Sequence, residues 1–355
     1  MLSPLRPILY INMEAIMKFN SDLLKKLTEI YGPTGREYKV AEFIIAEIKD
    51  YVDEIEIDTL GNLIAHKKGP GKKVALSAHM DQLGMIIKTI DEKGFMRFGK
   101  LGSIKPFNLM DSRVIFENGT EGVIICEKVE DFNKVTHNNL YIDIATLSKE
   151  DVLKKVRIGD VAITKSEYYE NEECVMTQCL DDRIGCMIVI ETIKQNIKSK
   201  NDMYYIFTVQ EEEGCIGAEV AGYSIHPDLF ITFDVACTGD ELRGIRTDMK
   251  LGGGAGIKVK DAFLMVNYDV VKYLIKLSED NSIKYQLEVS ETGGTDATPV
   301  QSVKSGVKSG SITIPTRNIH SRNEIISKED IINCIELAVS IEKNELGDDF
   351  NAKNK

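Results

Sequence analysis

The sequence predicts an α/β domain interrupted by an inserted β domain, and three observations carry that expectation. Helix-like and strand-like segments alternate over residues 19–84 and again beyond residue 183. From about Met85 to Glu173, short runs rich in Val, Ile and Phe are separated by turn residues, and helical periodicity is scarce. That texture is the pattern of a small β domain or barrel. With 355 residues, 43% hydrophobic and 28% charged, the chain is long enough for one or two packed domains and lacks the bias of a disordered one.

The elements follow in order. Phe19–Glu29 sets Leu23, Leu24 and Leu27 at helical spacing behind a capping Asn20 or Ser21, and Gly32-Pro33-Thr34-Gly35 ends it. Glu37–Val52 is a second amphipathic helix. Glu54–Asp58 and Leu63–Lys67 read as strands joined by a turn at Gly61-Asn62. Lys73–Ala78 is a short apolar strand running straight into His79. Within the middle region only Ser148–Lys155 has a helical period. Beyond it, helices are expected over Arg183–Lys198, Gly217–Ser224, Val266–Asn281, Asp296–Ser305 and Ser327–Glu342, the last capped by Ser327. Strands are expected over Met203–Gln210, Leu229–Asp234, Ile283–Val289 and Val307–Ile314. The domains are therefore 17–84 with 174–345, an insert at 85–173, and a frayed tail at 346–355. Met13 and Met17 stand just before the first helix, so residues 1–16 read as an extension ahead of the true start, with no targeting role.

A formal net charge of -12 gives no electrostatic help in binding nucleic acid or anionic lipid. No apolar run approaches the roughly 20 residues that span a bilayer. Seven cysteines, an odd number without a CxxC pair, read as reduced thiols of a cytoplasmic protein.

Five polar clusters sit at the end of an apolar strand or the mouth of a helix: ALSAHMDQLG (75–84), QCLDDRIGC (178–186), FTVQEEEGCIGA (207–218), LFITFDVACTGD (229–240) and IPTRNIHS (314–321). In an open α/β sheet, strand ends are where ligands bind. Two histidines with several carboxylates suit zinc, cobalt or manganese better than calcium. Each residue also has a plainer reading. Asp181 or Asp182 could cap the helix that follows, Glu211–Glu213 could be a solvated face, and His79 or His320 could be a core histidine. Glu211–Glu213, however, leaves an apolar strand directly, and acids beside a core need a partner. His66, His137 and His226 lack acidic clusters and read as structural or exposed.

The clusters resemble the tetrahedral, or glutamyl, aminopeptidase family of di-metal exopeptidases. The resemblance runs from GPTGRE (32–37) through DTLGNLIA (58–65), LYIDIAT (140–146), KLGGGAGIKV (250–259) and GGTDA (293–297) to IPTRNIHS (314–321). It implies a zinc-exopeptidase-like mixed sheet flanked by helices, and a barrel used for assembly. It implies two divalent ions per subunit, zinc or cobalt with manganese a third option. His79 would bind one, Asp181 would bridge both, Glu212 would bind one and Asp234 the other, and His320 would complete the ligand set of the second ion. Asp81 would orient His79, and Glu211 would be the general base for a metal-activated bridging water. The implied substrates are short peptides with a free N-terminus, and the implied assembly is a dimer-built tetrahedral dodecamer. The chain departs from the family at Gln82, at Glu213, at Asn318 and in the loop 101–112.

Another di-metal amidohydrolase, a deacylase or dipeptidase, would use the same ligands. A glycoside hydrolase would need a carboxylate pair across an aromatic-lined cleft, and the chain has no Trp. A non-catalytic scaffold would have lost a ligand or the base, and none is lost.

Overall fold

The computed structural model describes residues 18–242, 244–347 and 350. The expectations for residues 1–16 and for the last five residues lie outside it. Helices α1 (Ser21–Glu29) and α2 (Tyr38–Ile48) precede strands β1 (Glu54–Ile57), β2 (Leu63–Lys67) and β3 (Lys73–His79). Asn20 caps α1, its Oδ1 accepting from the Leu23 amide at 3.2 Å.

The chain then enters a closed six-stranded barrel. Its strands are β4 (Gly84–Ile90), β5 (Met96–Leu101), β6 (Arg113–Phe116), β7 (Glu121–Cys126), β8 (Leu140–Asp143) and β9 (Val161–Thr164), in the order β4-β5-β8-β7-β6-β9, with short helices α3 (Pro106–Leu109) and α4 (Lys149–Leu153) between them. Alternate side chains such as Met85, Ile87, Met96, Phe98, Val114 and Ile142 fill a core of its own. Closure leaves the barrel no unpaired edge.

The chain leaves the barrel through β10 (Tyr169–Glu170) and β11 (Cys174–Thr177), both already strands of the large sheet. Then come α5 (Leu180–Lys194), β12 (Asp202–Thr208), α6 (Ile216–Ile225), β13 (Leu229–Cys237), β14 (Ala255–Lys260), α7 (Tyr268–Asp280), β15 (Tyr285–Val289), α8 (Ala297–Val300), β16 (Lys308–Arg317), β17 (Glu324–Ser327) and α9 (Lys328–Lys343). The sheet is mixed, with main order β1-β2-β12-β3-β13-β16-β17-β11-β10 and with β14 and β15 branching from β16. Its centre, β12-β3-β13-β16, is parallel throughout, so four strand ends open on one edge. These strands are buried on both faces, which is why they read as continuous apolar runs.

Three local expectations differ from the structure. The Ser327 side chain makes no capping hydrogen bond, because Ser327 is also the last residue of β17. The helix expected over Asp296–Ser305 is one turn, α8, and the chain then adopts positive φ at Lys304 and Gly306. The tail is not wholly frayed: Leu346 is buried, its amide bonds Asn201 Oδ1 at 2.9 Å, and Phe350 packs edge-on against Tyr273.

Arg183 pins the site's floor. Its fully buried guanidinium donates to the carbonyls of Met80 (2.8 Å), Leu27 (2.6 Å), Ile30 (3.2 Å) and Gly32 (3.2 Å), and to Gln82 Oε1 (3.3 Å). The carbonyls of Leu27 and Ile30 belong to the negative end of α1, which favours a cation there. Gln82, where the resembled family carries an acid, is thus a neutral acceptor. Arg183→Met removes the fork and orphans buried carbonyls. It is expected to cost about 3–5 kcal/mol in denaturant unfolding of the metal-loaded protein, and Arg183→Lys to recover only part of that.

Candidate active site

The four parallel strand ends deliver most of the site. His79 is the last residue of β3, and Asp234 lies on β13. Glu211 and Glu212 follow β12 by three and four residues, and His320 follows β16 by three. Asp181 comes from the mouth of α5, where Asp181 and Asp182 are non-helical and joined by a cis peptide. The rival reading of this pair is divided between them. Asp182 performs the capping, its Oδ1 accepting from the Gly185 amide at 3.0 Å, and it also accepts from the His79 amide at 3.3 Å. Asp181 is left free to face the cleft.

Asp181 is the centre of the arrangement. Its Oδ1 lies 3.0 Å from His79 Nε2, and its Oδ2 lies 3.1 Å from His320 Nε2. Two triads of potential ligand atoms result, His79–Asp181–Asp234 and Asp181–Glu212–His320, each gathered within 4.8 Å. All five sequence-predicted ligands are therefore brought together, with Asp181 common to both groups.

The imidazoles are fixed from behind. His79 Nδ1 faces the Asp81 carbonyl at 3.1 Å and the Asp81 carboxylate at 3.3 Å. His320 Nδ1 donates to the Ser103 carbonyl at 3.1 Å. Each ring thereby presents Nε2 to Asp181. Asp81 is itself held by Thr34 Oγ1 (2.8 Å) and by the amides of Glu211 (2.9 Å) and Glu212 (3.2 Å). Thr34 belongs to the GPTGRE turn, so that motif supports the site from the chain's first loop.

The electrostatics ask for positive charge. Burial, reinforced by Asp181, pushes Glu212 up to about 8 and Asp234 up to about 8. Burial also works against Asp181, but hydrogen bonds from His320 and His79 hold it well below the usual range. For His320, burial is outweighed by Asp181, which lifts the imidazole to about 10. Glu212 Oε1 is buried with no hydrogen-bond partner. An orphaned acceptor beside paired His and carboxylate donors fits a pair of bound cations of the zinc or cobalt type.

Several supports were not legible in the sequence. Glu324 accepts from the amides of Leu180 (2.7 Å), Asp181 (3.2 Å) and His320 (2.8 Å), tying both ends of the second triad together. Burial raises this carboxyl to about 8. Glu324→Gln keeps the volume but loses acceptor capacity, and is expected to weaken cation retention about 10–100-fold in chelator competition. The barrel also lines the site. Asn108 Nδ2 donates to the His320 carbonyl (3.0 Å), and the Gly102 amide donates to Glu213 Oε1 (2.8 Å). Gly102 has φ +78°, and a Cβ there would stand 3.0 Å from Glu212 Oε2. The unusual loop 101–112 and Glu213 are thus paired with each other. The remaining histidines serve elsewhere: His66 lies between Asp202 and Glu54, stacked on Tyr204, and His137 faces the Ile104 carbonyl.

This arrangement can be set beside known proteins. The family model for M42 glutamyl aminopeptidase matches residues 61–337. The chain belongs to the M42 glutamyl aminopeptidase family. M42 proteins are metallo-aminopeptidases. The chain is 44% identical over 319 residues to a protein of Acetivibrio thermocellus provisionally named an aminopeptidase, covering 90% of this chain and 97% of the other. It superposes on an aminopeptidase from the archaeon Desulfurococcus kamchatkensis with a TM-score of 0.90 at 32% identity, covering 94% of this chain and 97% of that one. It superposes on a TET1 peptidase of Pyrococcus horikoshii, described as able to assemble into a tetrahedron or a large octahedral shell, with a TM-score of 0.83 at 31% identity, covering 91% and 99%. The mixed sheet with its inserted six-stranded barrel is the fold of these M42 aminopeptidases. Among the described residues no helix is long and apolar enough to cross a membrane.

Proposed function

We propose that this M42 chain removes the N-terminal residue from short peptides, using two divalent cations held by His79, Asp181, Glu212, Asp234 and His320. The observation that carries this reading is the pair of ligand triads sharing Asp181. Zinc or cobalt bound there would polarise the scissile carbonyl and lower the pKa of a shared water to near neutral.

The chain's own groups do the rest. Asp81 fixes the His79 ring through its Nδ1 side. Glu211, whose Oε2 stands 3.9 Å from His79 Nε2, takes the proton of the attacking water and delivers it to the leaving amine. An acid beside the triads would hold the charged amino group of the peptide, which limits cleavage to the first residue. The similarity to a shell-forming peptidase, spanning 91% of this chain, supports assembly into a tetrahedral dodecamer. Light scattering that returns a single dimer at every concentration would remove that part of the proposal.

The function is tested by amino-acid release from a panel of short peptides beside N-acetylated copies, with and without chelator and added Zn²⁺ or Co²⁺. Release from free N-termini only, abolished by chelator and restored by metal, is the expected result. Cleavage confined to acylated substrates would point instead to a deacylase using the same ligands.

A further inference from the structure

A third cluster of ligand atoms lies beside the two triads. Glu211, Cys215 and Asp296 bring a carboxylate oxygen, the thiol sulfur and a second carboxylate oxygen within 4.8 Å of one another. Cys215 Sγ donates to Glu211 Oε1 at 3.2 Å. Asp296 is fully buried, yet only one of its oxygens is satisfied: Oδ2 accepts from Thr208 Oγ1 (2.5 Å) and Ser77 Oγ (3.4 Å), while Oδ1 has no hydrogen-bond partner. A buried carboxylate oxygen without a partner is costly to leave, and it sits in a group whose other members are an acid and a thiol. Glu211 and Cys215 are only partly buried, so two of the three groups touch solvent.

We propose that Glu211, Cys215 and Asp296 form a third, inhibitory cation site selective for thiophilic ions such as Cd²⁺ or excess Zn²⁺. The inference rests on the reading of Glu211 as the general base. Binding would break the Cys215–Glu211 hydrogen bond, release the thiol proton to solvent and place sulfur on the ion. Sulfur–oxygen ligation suits Zn²⁺ or Cd²⁺, whereas Mg²⁺ and Ca²⁺ take oxygen shells. An ion seated there ligates the Glu211 carboxylate on its Cys215 side and lowers the basicity of the whole group, so turnover stops with the two primary ions in place. Inhibition and primary metal loading are thereby separate events at neighbouring positions. Asp296 comes from the GGTDA segment.

The test takes the protein loaded with two Zn²⁺ per chain and titrates in Cd²⁺. Bound zinc and cadmium, the cadmium–thiolate charge-transfer absorption and peptidase rate are read on the same samples. The expected result is one cadmium bound with zinc retained, thiolate absorption rising in step with loss of rate. Cys215→Ser keeps a hydrogen-bond donor to Glu211 but is a poor ligand for a soft ion. It should abolish the absorption and raise the half-inhibitory Cd²⁺ concentration at least about tenfold, each variant judged against its own two-zinc rate. Asp296→Asn should weaken cadmium binding while leaving the thiol in place. Equal cadmium inhibition of the wild type and Cys215→Ser overturns the proposal, as does cadmium binding with no thiolate absorption. If the absorption and the third ion appear in a protein without peptidase activity, the site stands and the aminopeptidase reading falls.

Discussion

Glu211→Gln is expected to lower kcat by about two to four orders of magnitude while metal content stays at that of the wild type. The side chain keeps its volume and still meets Cys215 and the His79 side of the cleft, so the change removes little except the capacity to accept a proton. Burial, reinforced by Asp234 and Glu212, raises this carboxyl well above the usual carboxylate range. Cations held by the two triads would act in the opposite direction, towards the near-neutral range that suits a base. A loss confined to KM would assign Glu211 to substrate binding. Unchanged rates would remove it from the reaction.

Asp181→Asn is expected to be more damaging to the centre itself. Asp181 supplies one oxygen to each histidine and belongs to both triads. The amide has one weak acceptor where the carboxylate has two charged ones, so neither group remains complete. Metal content after dialysis should fall below one ion per chain, and activity should not return at metal concentrations that saturate the wild type. Loss of a single ion, with the other retained at full occupancy, would show that Asp181 serves one triad only. Because Glu211→Gln preserves metal and Asp181→Asn does not, the pair separates proton transfer from metal retention.

The features legible in the sequence share a physical cause. His79, Asp234 and Glu211–Glu212 each interrupt or end an apolar run, and in a buried parallel strand an acid or imidazole stands out against its neighbours. The barrel was legible because short β-rich runs with turn residues replace helical periodicity for some ninety residues. The strands β11, β14 and β17 were not foreseen. They are four to six residues long, and β14 follows the Gly252-Gly253-Gly254 turn while β17 merges into the start of α9. The supports of the site escaped for a different reason: they act through backbone atoms far away in the chain. Ser103 and His320 are 217 positions apart, and nothing local in LGSIKPFNLMDS shows that a carbonyl there will orient an imidazole. Glu324 lies four residues after His320 and ties that residue to the mouth of α5, a role visible only once the sheet has closed. Cys215 reads as an ordinary buried thiol until its contact with Glu211 is seen.

Five residues on four strand ends and one helix mouth would form a two-ion centre with Asp181 common to both ions. Anomalous diffraction at the zinc edge, from crystals of zinc-loaded protein, tests this most directly. Two peaks are predicted, one against His79 and Asp234 and the other against Glu212 and His320, with one oxygen of Asp181 on each. A single peak, or two peaks that do not share Asp181, would rule out that centre.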